Sequence, residues 1–319
     1  MSAQPHTQAH ALRNGLLLGL LGVSIFALTL PFTRLAVGTP DAPQLSGVFV
    51  SSGRATLAAL LSVVFLWATR APWPRRADWG LLGLVTLGVV LGFPMLSSVA
   101  MRHVEAVHAS VMLGVLPLAT ALVGAWLHHQ RPSMGFWLCA GLGTALVVGF
   151  AMLRSGQGGL TLARADVWLL LAMACAALGY GVGGLLSGRM RADQVICWAL
   201  VIGLPINMPL ALMEYPQAAI KFESWLGFFY VAIFSQWLGF FAWYRGLALG
   251  GTVRVSQMQL LQPFMSMLFA VPVLGESLDA LSVGFGLAVI AVVAIGRKMP
   301  VHDTNPTTSS VFQSKANSS

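Results

Sequence analysis

Gly246–Ser277, GLALGGTVRVSQMQLLQPFMSMLFAVPVLGES, is an apolar stretch with Pro263 near its middle and a Gly275-Glu276 turn near its end. Sliding the sequence by 146 positions lays it over Ala100–Arg131, AMRHVEAVHASVMLGVLPLATALVGAWLHHQR. In that frame Ser256 stands over Ser110, Met258 over Met112, Pro263 over Pro117 and Leu268 over Leu122. Each copy follows one long apolar run and precedes another. The correspondence is therefore architectural as well as local, and it reads as a duplicated hydrophobic unit.

Composition sets the class. Of 319 residues, 57% are hydrophobic and 9% charged, where soluble domains carry roughly 25% charge. A chain of this kind cannot cover itself with polar surface, whereas its 34 glycines suit closely packed membrane helices. The net charge of +8 comes from basic residues set between apolar runs. That distribution is an orientation signal and not a nucleic-acid footprint. Cys139, Cys175 and Cys197 fall in or at the start of apolar runs without metal-ligand spacing, and they read as structural thiols. The polar N-terminus leads straight into a run and more runs follow, so a cleaved signal peptide is not expected.

Runs long enough for ~30 Å of hydrocarbon fall near 15–37, 46–69, 79–99, 107–127, 134–153, 167–188, 194–213, 224–245, 253–274 and 279–297. The expected fold is thus an all-α polytopic membrane protein with ten transmembrane helices. A cytoplasmic tail (1–14) precedes a five-helix repeat (15–153). A linker (154–166) containing SGQGG leads to the second repeat (167–297), and a disordered cytoplasmic tail (298–319) ends the chain. One set of connections carries Arg13, Arg70, Arg75, Arg76, Arg131, Arg189, Arg191, Arg245, Arg254, Arg297 and Lys298. The opposite set carries Arg34, Arg102, Arg154, Arg164 and Lys221. The positive-inside bias then places both termini in the cytoplasm. Five spans per half force the second repeat to insert upside down relative to the first, the arrangement of many secondary transporters.

With Arg54 in the second run, Ala106–Pro117 in the fourth, and Thr252–Pro263 followed by Gly275-Glu276 in the ninth, the chain resembles the drug/metabolite transporter superfamily, and within it the EamA-type exporters. The resemblance covers roughly 15–297. It departs at one turn, where the first repeat has His129-Gln130 in place of Gly275-Glu276. It implies a multi-pass inner-membrane transporter exporting small organic metabolites, amino acids or related compounds, by alternating access. The expected partners are a small-molecule substrate and the lipid bilayer, with a homodimer allowed and no nucleic acid. A multidrug/proton antiporter is the nearest alternative, and a non-transporting receptor or assembly subunit a more distant one. No cofactor is called for, and the chain contains no HExxH, GxSxG or Walker sequence that would suggest an enzyme.

Candidate binding residues follow from helical periodicity. A period of 100° per residue puts Thr252, Val255, Gln259, Gln262, Pro263, Ser266 and Ala270 on one face of the ninth run. Two glutamines and a serine in mid-membrane need water, substrate or a neighbouring helix, because unsatisfied polar groups in hydrocarbon cost several kcal/mol. In the eighth run Phe229, Gln236, Phe240 and Trp243 form an aromatic stripe around one amide, readable as a binding wall, as packing or as an interfacial belt. In the first repeat Val90, Pro94 and Ser97 stand opposite Gln236, Phe240 and Trp243 and form a second wall of small residues. Arg54 costs about 2.5–3.5 kcal/mol to bury on insertion scales. It is expected to have a structural partner, with a substrate carboxylate as the other reading. Pro117 and Pro263 are expected hinges. Glu105 and His108, three apart, can meet on a helix. No Asp or Glu falls deep in any run, which argues against a carboxylate that cycles protons. Glu276, Ser277 and Asp279 suit the start of the tenth helix.

Overall fold

A computed structural model describes residues 5–127, 130–154, 163–296, 299 and 301–303. Each apolar run folds as helix, because in lipid the backbone must satisfy its own hydrogen bonds. Among the described residues seven helices are long and apolar enough to cross a membrane: α1 (His10–Val37), α2 (Gly47–Ala68), α3 (Arg76–Ala100), α4 (Ala106–Leu127), α6 (Arg164–Leu186), α7 (Ala192–Met213) and α8 (Phe222–Gly250). Between and after them lie α5 (Met134–Arg154), α9 (Leu261–Leu274) and α10 (Ala280–Gly296), with shorter apolar stretches among the described residues. The expected N-terminal tail is already helical from Pro5. At the other end Val301–Asp303 pairs antiparallel with Gln130–Pro132, so the start of the expected disordered tail is a strand. His129, residues 155–162 and residues 304–319 lie outside the described residues.

The irregularities of the helices recur in the 146-residue frame. A π-helical segment interrupts α3 at Thr86–Gly92, and another interrupts α8 at Tyr230–Leu238. Leu113–Val115 in α4 tightens to a 3-10 turn just before Pro117. Ser256–Leu260 does the same just before Pro263. Each proline lacks the N–H that would bond the carbonyl four residues back, so the preceding turn is free to tighten.

Packing repeats as well. The main partners are α1 with α8, α2 with α7, α3 with α6, α4 with α6, α5 with α10, and α9 with α1. Exchanging each helix for the one five places away sends α1–α8 to α6–α3 and α4–α6 to α9–α1. The same exchange returns α2–α7 and α5–α10 to themselves. The α1–α8 contact is made by glycine. A Cβ built on Gly15 would lie 2.6 Å from the Gly250 nitrogen, and one on Gly246 would lie 2.8 Å from the Gly19 nitrogen. Glycines four apart on both helices let the two backbones touch.

Candidate functional site

The polar groups singled out in the sequence lie inside the bundle. Arg54 on α2 is 1% exposed and donates from Nη2 to Ser235 Oγ (3.1 Å), which in turn lies 2.8 Å from Thr29 Oγ1. Its Nε and Nη1 are buried without a hydrogen-bond partner among the described residues. The expected structural partner is thus a single neutral hydroxyl, and two donors of a buried cation remain unspent.

On α8 the amide of Gln236 is fully buried and donates to the Val89 carbonyl (2.9 Å), joining the two π-helical segments; its Oε1 has no partner. Trp243 is 0% exposed, which excludes the interfacial-belt reading. It packs with Phe26 of α1 and Tyr180 of α6, their ring centroids 6.3 and 5.4 Å away. Phe240 joins the same cluster, 5.0 Å from Phe26 and 5.9 Å from Tyr180. The Trp243 Nε1 donor is buried and unpartnered. Phe229, expected on this stripe, is 47% exposed. The π segment that begins at Tyr230 explains the miss, since an extra residue per turn rotates everything before it away from Gln236.

Thr252, Val255, Gln259, Gln262, Ser266 and Ala270 are all buried. Among the described residues, both amide atoms of Gln259, Oε1 of Gln262 and Oγ of Ser266 lack partners. Helix α9 packs chiefly on α1 and α4, and α8 on α1, so α1 is the element the two polar faces share. In the first repeat Ser97 is spent on its own helix, bonding the carbonyls of Phe93 (2.6 Å) and Pro94 (3.3 Å). Its neighbour Ser98 instead has a buried, unpartnered hydroxyl, as do Thr33 on α1 and Ser51 on α2. The sequence offered no way to rank these small hydroxyls, because which face of a helix is interior depends on the helices packed against it.

At the α3–α4 end of the bundle two expectations are corrected. Glu276 does not serve the helix that follows it. Its Oε1 and Oε2 accept the backbone N–H groups of Ala106 (3.0 Å) and Val107 (2.9 Å), capping α4 across the bundle. Gly275, at φ +70°, makes the turn that aims it there. Asp279 takes the expected role, accepting the Ser282 N–H (3.2 Å) at the start of α10. His108 does not form the expected pair with Glu105 but lies 2.7 Å from Asp166 of α6. Asp166 is 1% exposed, so a buried carboxylate does sit at the mouth of a span. Arg34 closes the same end, donating to the carbonyls of Met101 (2.6 Å) and Arg102 (2.9 Å), while Arg102 donates to Leu45 (2.7 Å). At the opposite end Arg189 bonds the buried carboxylate of Asp78 (3.2 Å).

The EamA-like transporter family model matches this chain twice, over residues 13–152 and 163–297. A protein of Bacillus subtilis (strain 168) described as the uncharacterized transporter YdeK is 41% identical over 287 residues, covering 89% of this chain and 97% of its own length. A solved crystal structure matches with a TM-score of 0.61 at 18% identity, over 88% of this chain and 98% of its own, which is a likeness of fold. With a buried polar interior, apolar membrane-length helices and two matches that together span nearly the whole sequence, the chain belongs to the EamA-like transporter family and is a multi-pass membrane transporter.

Proposed function

We propose that the protein is a secondary transporter built from two inverted five-helix repeats, which exports small organic metabolites, amino acids or related compounds, from the cytoplasm by alternating access. The recurring π and 3-10 interruptions, the packing that survives exchange of the halves and the two family matches all support the repeat. The interior supports the substrate class. Arg54 keeps two unspent donors for a carboxylate, and the Oε1 atoms of Gln236 and Gln262 are free acceptors for an ammonium or amide. Phe240 and Trp243 supply apolar area for the remainder. The 3-10 turns before Pro117 and Pro263 are the places where α4 and α9 can bend as the halves rock.

The observation that carries this reading is the set of buried, unpartnered polar atoms on α2, α8 and α9, which a bound solute would satisfy. The test is metabolite profiling of medium from cells making the native protein or single variants at matched membrane abundance. Arg54→Gln and Gln262→Ala are expected to lower release of a carboxylate-bearing metabolite. For Gln262→Ala the loss of one hydrogen bond, ~0.5–1.5 kcal/mol net, gives roughly a two- to tenfold change. Trp243→Ala is expected to act most on apolar and aromatic compounds. Leu287→Ala, at a lipid-facing position that is 52% exposed, is the control. Release that is the same in all four variants as in the native protein rejects the site.

A further inference from the structure

The first turn of α4 is tied down from two other helices. Glu276, from the turn after α9, holds the N–H groups of Ala106 and Val107. One residue on, His108 Nε2 meets Asp166 Oδ1, and Asp166 Oδ2 accepts the Ala163 N–H (3.1 Å) at the start of α6. The His108 and Asp166 side chains are 9% and 1% exposed, so an ionisable pair is buried where α4 and α6 begin, apart from the polar faces of α8 and α9.

We infer that the His108–Asp166 pair is a proton-binding site whose protonation closes this end of the bundle. The inference rests on the transporter reading. With the Nε2 proton shared with Asp166, a hydronium ion gives up a second proton to Nδ1: one N–H bond forms as one O–H bond breaks, and water leaves. The product is an imidazolium–carboxylate pair without net charge. Removing that proton leaves the pair with one net negative charge.

The surroundings sharpen that difference. On the segment leading into α4 stand His103, whose ring centroid is 6.2 Å from that of Trp168, and the acidic Glu105. From beyond α9 comes the carboxylate of Glu276, and Arg34 of α1 is within electrostatic reach of both Glu276 and Glu105. Helix α6 adds Arg164, which is exposed, and α10 is preceded by Asp279, engaged with its own helix start. Among the described side chains, Phe150 of α5 faces His108 with ring centroids 5.8 Å apart, and Phe285 of α10 packs behind Phe150 at 5.4 Å. Protonation therefore tightens the α4–α6 contact. Proton loss leaves the Asp166 carboxylate facing a neutral imidazole and loosens the α4–α6 contact. In the proposed orientation this end faces the periplasm, so a proton taken up there closes it.

The test needs no substrate. Met101, fully buried at this end, is changed to Cys in a chain with Cys139, Cys175 and Cys197 replaced by Ser. Labelling by a water-soluble methanethiosulfonate is followed in detergent between about pH 5.5 and 8, the range in which histidine changes charge. Each rate is divided by that of the unfolded chain at the same pH, which removes the thiol's own ionisation. Labelling is expected to be about tenfold faster at the upper pH, within the ~5–150-fold span of linked sites. It should become flat with pH in His108→Gln and in Asp166→Asn, while His103→Gln, at an exposed neighbour, keeps the dependence. A flat profile in the parent overturns the proposal, as does a dependence that persists in a folded His108→Gln or Asp166→Asn or that disappears in His103→Gln. If neither pair variant folds, the parent and His103→Gln profiles decide. Failure of the transport reading looks different: no metabolite is released at any pH, whatever the labelling shows.

Discussion

Side chains that hold distant helices together are more consequential here than those that hold their own helix. Glu276 satisfies two amides at the N-terminus of α4, where the helix also presents its positive dipole end. Glu276→Ala removes both bonds and the charge. Losing a cap of this kind costs about 0.5–2 kcal/mol, which should appear as a lower melting temperature of the purified protein. Ser277→Ala, one residue on, should leave it unchanged. Equal melting of the two variants would mean that the cap contributes nothing. Asp279→Ala should also destabilise, through α10, because Asp279 accepts the Ser282 N–H at the start of that helix.

The π segments matter most among the elements. They place Gln236 against Val89 across the two halves, and no periodicity in the sequence announces them, since 100° per residue assumes an unbroken helix. The helices themselves were legible because runs of twenty apolar residues have one stable form in lipid. The buried face of α9 and of the turn before it was also legible, from Gln259, Gln262 and Ser266, because one short 3-10 turn shifts the helical phase too little to move them off the interior face. Phe229 was misplaced by the π insertion. The partners of His108 and Glu276 were hidden for a different reason: they lie 58 and 170 residues away, and one sequence does not say which chain ends meet. The glycine contact between α1 and α8 gives an element-scale test. At Gly15 an added methyl group would press on the Gly250 backbone, whereas at Gly83 it meets nothing within 4 Å. Gly15→Ala should destabilise by about 1–3 kcal/mol, as overpacking does, and lower the folded yield in the membrane, while Gly83→Ala should not. Equal yields would contradict a close α1–α8 approach.

At the scale of the whole molecule, alternating access requires that equivalent irregularities work in opposite directions. A 3-10 turn and proline in α4 and again before and within α9, or a π segment in α3 and again in α8, give the two halves the same places to bend. If the halves are inverted, each bend opens the opposite side of the membrane. The latches differ in kind. Arg34, Arg102 and Glu276 seal the α3–α4 end, and the Arg189–Asp78 ion pair stands at the other. The proposed substrate path, proton-linked closure and direction of export all depend on the halves crossing the membrane in opposite senses. Reporter fusions at three points test that most directly, with an enzyme active only in the periplasm paired with a fluorescent protein that matures only in the cytoplasm. Fusions after Arg76 and after Met299 are predicted to report cytoplasm, and a fusion after Ser155 periplasm. The same location at Arg76 and Ser155 would contradict the inverted five-plus-five architecture and the transport cycle built on it.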